Sequence, residues 1–351
     1  MPTPVSSEPV RLGHIGVGRW GVNLLRNTAA APGFRVVAVC DPRDPALAAA
    51  ARLAPGARAF RDADALLALD EVEAVVVAVE TPLHYATALA ALTAGKHVFV
   101  EKPLAQTAAE AERLVAEAEA RDLRLMVGHL LRYHPAFRHV EGLVAAGVLG
   151  DVRYVYSVRV NLGVVRDREN AFDSLAPHDL AVARALIPGR PVAVSAQGQA
   201  FLRPGVEDVV FATVSYEGGR LAHLHCSWLD PHKVRRTTVV GSEKMATVDD
   251  MEPAEKVRVY DKGVDPAGEA GYASFAGAVT VRSGDIVVPR VAPAEPLRVE
   301  VEEFAAAVRE ARPALTDGED GLEVVRVLEA ARRSLREGGG RVEIAAGGAA
   351  G

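Results

Sequence analysis

Cysteine is scarce in this chain: 351 residues contain only Cys40 and Cys226, far apart and without C-x-x-C spacing. That excludes a disulfide framework and suits two buried thiols in a reducing compartment. No sign of charge dominates either. A net charge of −6 offers no basic surface to nucleic acid or anionic lipid. Long apolar runs are missing as well. The longest in the first half, Ala74 to Val79, is six residues, far short of the roughly 20 a membrane helix needs. Met1 to Pro9 is polar and proline-containing, with no apolar signal core. These absences predict a cytoplasmic protein with neither nucleic acid nor membrane as partner. What is present is a globular composition, 49% hydrophobic and 25% charged, at a length that suggests about two domains.

The first 130 residues alternate strand and helix. A strand at 11–15 runs into Gly16-Val17-Gly18-Arg19-Trp20-Gly21, and a helix follows to about Thr28. This is G-x-G-x-x-G between a strand and a helix, the setting a dinucleotide fingerprint requires. Gly16 permits the tight turn, Gly18 lets backbone approach a pyrophosphate, and Gly21 allows close helix–strand packing. Unpaired amides and the helix dipole then face the phosphates, with Arg19 and Trp20 in the same loop. The next strand, 34–40, ends in Asp41, 20 residues after Gly21, where an acid accepts hydrogen bonds from an adenosine ribose. Its charge repels a 2′-phosphate and favours NAD over NADP. Arg43 softens that repulsion or is simply a solvated turn residue in Asp-Pro-Arg-Asp-Pro.

A β-branched strand at 74–79 leads to Thr81-Pro82-Leu83-His84 and a helix to Ala94. The strand at 96–100 delivers Glu101-Lys102-Pro103. Proline beside the lysine can hold a sharp turn, cis included, and so fix where the amine sits. A helix at 108–121 and a strand at 124–127 complete the sheet. Thr81, His84, Glu101 and Lys102 thus collect at the carboxyl edge of a parallel sheet, where ligands of open α/β folds bind. After Gly128 the pattern changes. Strand-like runs recur at 152–160, 192–200, 208–216, 220–228, 234–240 and 256–260 without long intervening helices, predicting an antiparallel sheet. One helix near 175–186 lies against it, and two more follow at 297–310 and 321–335. Its uncovered face predicts a homodimer or homotetramer. Pro177 places His178 at a helix start, facing the crevice.

The expected organisation is therefore α/β: an N-terminal Rossmann doubly wound parallel sheet, then an α+β domain with a large, mostly antiparallel open sheet. The boundaries read as a disordered 1–9, a NAD-binding domain 10–128, a substrate and oligomerisation domain 129–340, and a strand remnant with frayed tail at 341–351.

Gly16-x-Gly18-x-x-Gly21, Thr81-Pro82-x-His84, Glu101-Lys102-Pro103 and His178-Asp179 together resemble the Gfo/Idh/MocA oxidoreductase family, over about Val10 to Arg336. The resemblance implies NAD as cofactor, with Lys102 and His178 flanking a sugar hydroxyl beside the nicotinamide. The segments 128–135, 176–179 and 227–235 look like the nucleotide-sugar 3-dehydrogenase branch. That branch implies oxidation of C3 on a UDP-N-acetylhexosamine or its uronic acid. Tyr133 and His134 follow the first sheet's last strand and are placed to contact the sugar, or Tyr133 simply packs between domains; Asn161 and Arg166 lie in a loop whose charge suits a diphosphate. Arg168, Lys233, Arg235 and Arg236 are further candidates for the diphosphate. One departure stands out. Many members carry an aspartate four residues before the histidine, where this chain has Ser174, with Asp173 one place earlier. That leaves a Lys-His pair, His178 as base and Lys102 stabilising the alkoxide. Alternatives are a keto-sugar reductase, a free-sugar or inositol dehydrogenase, and a non-catalytic NAD-sensing regulator. A metal at His223-x-His225 has no third ligand spaced to join it.

Overall fold

The computed structural model describes residues 8–163, 165–167, 169–266 and 279–345. Residues 1–7 of the N-terminus expected to be disordered, Arg168 and the tail from 346 lie outside the described residues. The chain divides into two compact units, Met1–Tyr133 with Ala294–Glu329, and His134–Pro293 with Ala330–Gly351.

The first unit alternates β1 (Val10–Ile15), α1 (Gly21–Ala30), β2 (Phe34–Cys40), α2 (Asp44–Leu53), β3 (Arg58–Phe60), α3 (Ala63–Leu67), β4 (Ala74–Val77), α4 (Thr81–Thr93), β5 (His97–Glu101), α5 (Ala108–Ala120) and β6 (Leu125–Gly128). Its strands form one parallel sheet in the order β3-β2-β1-β4-β5-β6. Chain order reverses between β1 and β4, so the loops after these two strands open side by side. All four residues of β4 are buried, because helices cover both faces of the sheet. Val75, Val77, Val98 and Val100 pack on one side, and Leu12, Val76 and Phe99 on the other.

The second unit carries α6 (Pro135–Ala145), β7 (Val152–Val160), α7 (Ala171–Leu186), β8 (Pro191–Gln199), β9 (Val209–Tyr216), β10 (Leu221–Ser227), β11 (Val234–Gly241), β12 (Met245–Asp249), β13 (Val257–Pro266) and β14 (Val279–Val287). After these come α8 (Pro296–Arg309), α9 (Gly318–Arg336) and β15 (Val342–Glu343). The sheet runs β14-β13-β12-β11-β7-β10-β9-β8-β15 and is antiparallel except between β7 and β10. Helix α7 packs on β7, β9 and β10. The opposite face leaves Tyr154, Tyr156, Phe211 and Leu221 exposed.

Two readings need correcting. The sequence assigned everything from 129 to 340 to the second domain, yet the segment 130–133, α8 and the larger part of α9 belong to the first unit. The cause is packing. Leu297, Val301 and Phe304, at helical spacing on α8, bury into the first sheet. The Phe304 ring lies 5.9 Å from that of Phe34 and 5.8 Å from that of Phe99. Strands β12 and β14 were not anticipated: they pair with their sequence neighbours β11 and β13 in an antiparallel meander, but their own residues alternate with polar and glycine positions and form no apolar run.

Candidate cofactor and active site

The glycine loop has the geometry its spacing predicts. Gly16 adopts φ +95°, and a Cβ there would lie 2.5 Å from the Ala78 carbonyl oxygen. A Cβ on Gly21 would meet the Gly16 oxygen at 2.1 Å. Gly18 differs: its nearest neighbour would be an Arg43 guanidinium nitrogen at 3.8 Å. Backbone is therefore packed shut beside Gly16 and Gly21 but open above Gly18, which leaves room for a pyrophosphate at the start of α1.

Asp41 closes the same corner. It is 2% exposed, and Val17 donates its amide to Oδ2 at 2.9 Å. Arg43 supplies three further donors: its amide and Nε to Oδ1 at 3.0 and 2.9 Å, and Nη2 to Oδ2 at 2.9 Å. Burial works against the charge, but the Arg43 guanidinium and the two amides hold the carboxyl below its usual range. A carboxylate has about four acceptor positions, and all are taken. Arg43 is thus a solvated turn residue, 62% exposed, whose guanidinium is tied to Asp41.

At the ends of β4 and β5 the polar residues do not share one task. His84 is 1% exposed, with Nδ1 at 2.7 Å from the Pro103 carbonyl and Nε2 at 3.1 Å from that of Val79. It was expected to face the cofactor; the structure uses its ring to tie down the turn after Lys102, whose peptide to Pro103 is cis. Thr81 opens α4 and is half-buried. Glu101 is buried at the end of β5. Its Oε1 accepts from Trp20 Nε1 at 2.5 Å and its Oε2 from the Lys102 amide at 3.1 Å. A Cβ on Gly128 would press on this carboxylate at 3.1 Å. Glu101 therefore joins the glycine loop to the lysine turn, while Arg19 stands exposed in that loop. Burial pushes its pKa up to about 7, against the Trp20 hydrogen bond and the Lys102 charge.

Sequence reasoning missed the group behind it. Glu300 of α8 is fully buried, and neither carboxylate oxygen has a hydrogen-bond partner among the described residues. Burial and then the charge of Glu101 raise its pKa well above the carboxylate range, so it is held as a neutral acid. The signal was available: Glu300 sits within the apolar stripe Leu297-Val301-Phe304.

In the second unit, α7 begins at Ala171, capped by the Asn170 side chain on the Asp173 amide at 2.8 Å. Pro177 therefore lies inside the helix and His178 in its second turn, not at a helix start. The cap residue, not the proline, sets the beginning. Ser174 is one turn before His178, and Asp173 is drawn to Arg332 at 2.9 Å. Next to His178, buried Asp179 grips Arg159 of β7, with Nε to Oδ2 at 2.5 Å and Nη2 to Oδ1 at 3.1 Å. Ser157 donates to the same carboxylate at 2.7 Å. This clamp fixes α7, and with it the half-buried His178, on the sheet.

The remaining substrate candidates fare unevenly. Tyr133 is 3% exposed in the core of the first unit and bonds Thr316 at 2.8 Å, so it is a packing residue rather than a sugar contact. His134 caps α6 through Nδ1 and lies 3.4 Å from Asp250 through Nε2; burial lowers its pKa. Asn161 follows β7 with its amide on Ser227 at 3.1 Å, its side chain half-buried. Arg166 pairs with Glu169 at 2.9 Å. Among the described residues no group of three or more His, Cys, Asp or Glu side chains is arranged to hold a metal ion. No helix there is long and apolar enough to cross a membrane.

Comparison with known proteins settles the class. Residues 10–129 match the Gfo/Idh/MocA family described as an oxidoreductase family with an NAD-binding Rossmann fold, and residues 137–247 match its C-terminal domain. The chain belongs to the Gfo/Idh/MocA oxidoreductase family. It is 32% identical to UDP-N-acetylglucosamine 3-dehydrogenase of Acidithiobacillus ferrooxidans, over 76% of this chain and 80% of that one. Inositol 2-dehydrogenase 2 of Saccharopolyspora erythraea is 34% identical over 60% of this chain and 65% of that one. A solved structure of the Acidithiobacillus enzyme superposes with TM-score 0.77 at 29% identity, covering 93% of this chain and 98% of the other. The chain is thus an NAD-dependent oxidoreductase acting on CH–OH groups. The opening above Gly18 and the start of α1 fit a dinucleotide.

Proposed function

We propose that this enzyme oxidises the C3 hydroxyl of a UDP-N-acetylhexosamine or its uronic acid to the 3-keto sugar. The observation that carries the reading is the likeness to UDP-N-acetylglucosamine 3-dehydrogenase over three quarters of the chain or more, joined to a fixed lysine turn. Glu101 holds the Lys102 amide, and His84 holds the Pro103 carbonyl.

The bound cofactor supplies the hydride acceptor. His178 takes the hydroxyl proton as the C3–H bonding pair leaves, and the oxygen becomes a carbonyl. The Lys102 ammonium stabilises negative charge on that oxygen during transfer. Asp179 acts on His178 only by anchoring its helix.

A second reading has its own support, since the inositol 2-dehydrogenase is 34% identical: oxidation of a ring hydroxyl on a free polyol. The test is NADH formation with UDP-N-acetylglucosamine, its uronic acid and myo-inositol as substrates. Lys102→Ala and His178→Ala should each lower kcat by about 100-fold or more, the usual range for a removed acid–base group, with NAD affinity kept. Wild-type turnover by either variant refutes the assignment; turnover of inositol alone selects the second reading.

A further inference from the structure

The inner face of the second sheet contains a cation without a counter-ion. Arg159 and Arg235 stand directly opposite each other on β7 and β11, so their side chains leave the sheet on the same face, the one that α7 covers. Like charges in that relation destabilise a strand pair unless something compensates them. Arg159 is compensated by Asp179. Arg235 is not. The residue is half-buried; its Nε is buried without a partner, and its side chain makes no ion pair or hydrogen bond among the described residues.

The neighbouring charges leave none to spare. Asp179 is spent on Arg159, and Asp250 on His134 at 3.4 Å and Lys256 at 3.8 Å. Burial and the charge of Arg159 both press on the Arg235 guanidinium, and the two aspartates offset this only from a distance. Arg159, Arg235 and Lys256 thus face Asp179 and Asp250, one positive charge too many. Arg235 is half-buried, but its Nε is out of water, and a donor withdrawn from water is normally paired. The other cationic candidates do not share this position: Lys233 and Arg236 are exposed, and Arg166 has Glu169.

We infer that Arg235 is a substrate-binding residue that receives an anionic oxygen, carboxylate or phosphate, on the sheet face that carries the helix of His178. Its planar fork suits either anion. The inference rests on the proposed sugar dehydrogenase activity and narrows its substrate to an anionic sugar, either a uronate or a sugar esterified to phosphate. A neutral polyol would leave the guanidinium uncompensated.

The experiment is calorimetric titration of the full-length NAD-loaded protein with glucuronate, UDP and myo-inositol, in wild type, Arg235→Gln and Arg235→Lys. At least one anion should bind wild type and lose about 10- to 100-fold in affinity in Arg235→Gln, as for a charge-assisted hydrogen bond, with a smaller loss in Arg235→Lys. Glucuronate responding alone assigns the site to a sugar carboxylate, and UDP alone to the diphosphate. Unliganded Arg235→Gln should melt at or above the wild-type temperature, because no partner is lost. Equal anion binding by wild type and Arg235→Gln overturns the inference, as does binding of neither anion or a lowered melting temperature. Because binding is read without turnover, these results stand apart from the fate of the Lys102 and His178 variants.

Discussion

Replacing Asp179 with asparagine keeps the side chain's shape and removes one charge. In the native protein that charge meets Arg159 through two hydrogen bonds and Ser157 through a third, with the two ionic side chains 1% and 6% exposed. The substitution leaves two guanidinium groups, Arg159 and Arg235, facing each other across β7 and β11 with only the more distant Asp250 to offset them. Breaking a buried ion pair from one side typically destabilises by about 3–5 kcal/mol, mostly from the stranded charge. For a unit of this size each kcal/mol shifts Tm by roughly 2–4 °C, so the melting temperature should fall by about 6–20 °C. Urea denaturation followed by circular dichroism gives the free energy directly, with m unchanged if only the native state is affected. Removing both partners separates pairing from burial: Arg159→Met with Asp179→Leu should recover most of the loss, since apolar replacement of a buried pair is often neutral or better. A loss below about 1 kcal/mol in Asp179→Asn would refute the claim that this pair anchors the helix of His178.

Glu300 makes the opposite prediction. A carboxyl whose folded pKa lies above its unfolded value keeps its proton longer in the native state. Stability is therefore fully present below the unfolded pKa and falls as pH rises toward the folded one. Glu300→Gln should remove part of that decline, so its stability relative to wild type improves from pH 5 to pH 8 in parallel thermal melts; an unchanged difference across that range contradicts a neutral Glu300. Arg43→Ala frees the acceptor positions of Asp41 that the guanidinium and its Nε now occupy. Intrinsic fluorescence titration should show NAD bound several-fold tighter and NADP about 10-fold weaker, because the cation available to a 2′-phosphate is gone. Loss of NAD affinity would show instead that the arginine holds the adenosine ribose.

Local signals fixed the Rossmann half at the level of the sequence. The glycine spacing, the β-branched run of β4 and the acid after β2 are short-range features whose physics is local: a positive φ, a strand buried on both faces, a carboxylate at a strand end. The antiparallel half was legible in outline from its recurring apolar strands. The tertiary structure alone decided what happens between residues far apart in the chain. It joined α8 to the first sheet through Phe304, placed Glu300 behind Glu101, and turned His84 toward the Pro103 carbonyl. It also spent Arg43 on Asp41 and left Arg235 without a counter-ion. Each of these depends on which groups lose water together. Periodicity along one strand or helix records the direction of burial, but not the partner met there, and for a charged side chain the partner determines what it can do.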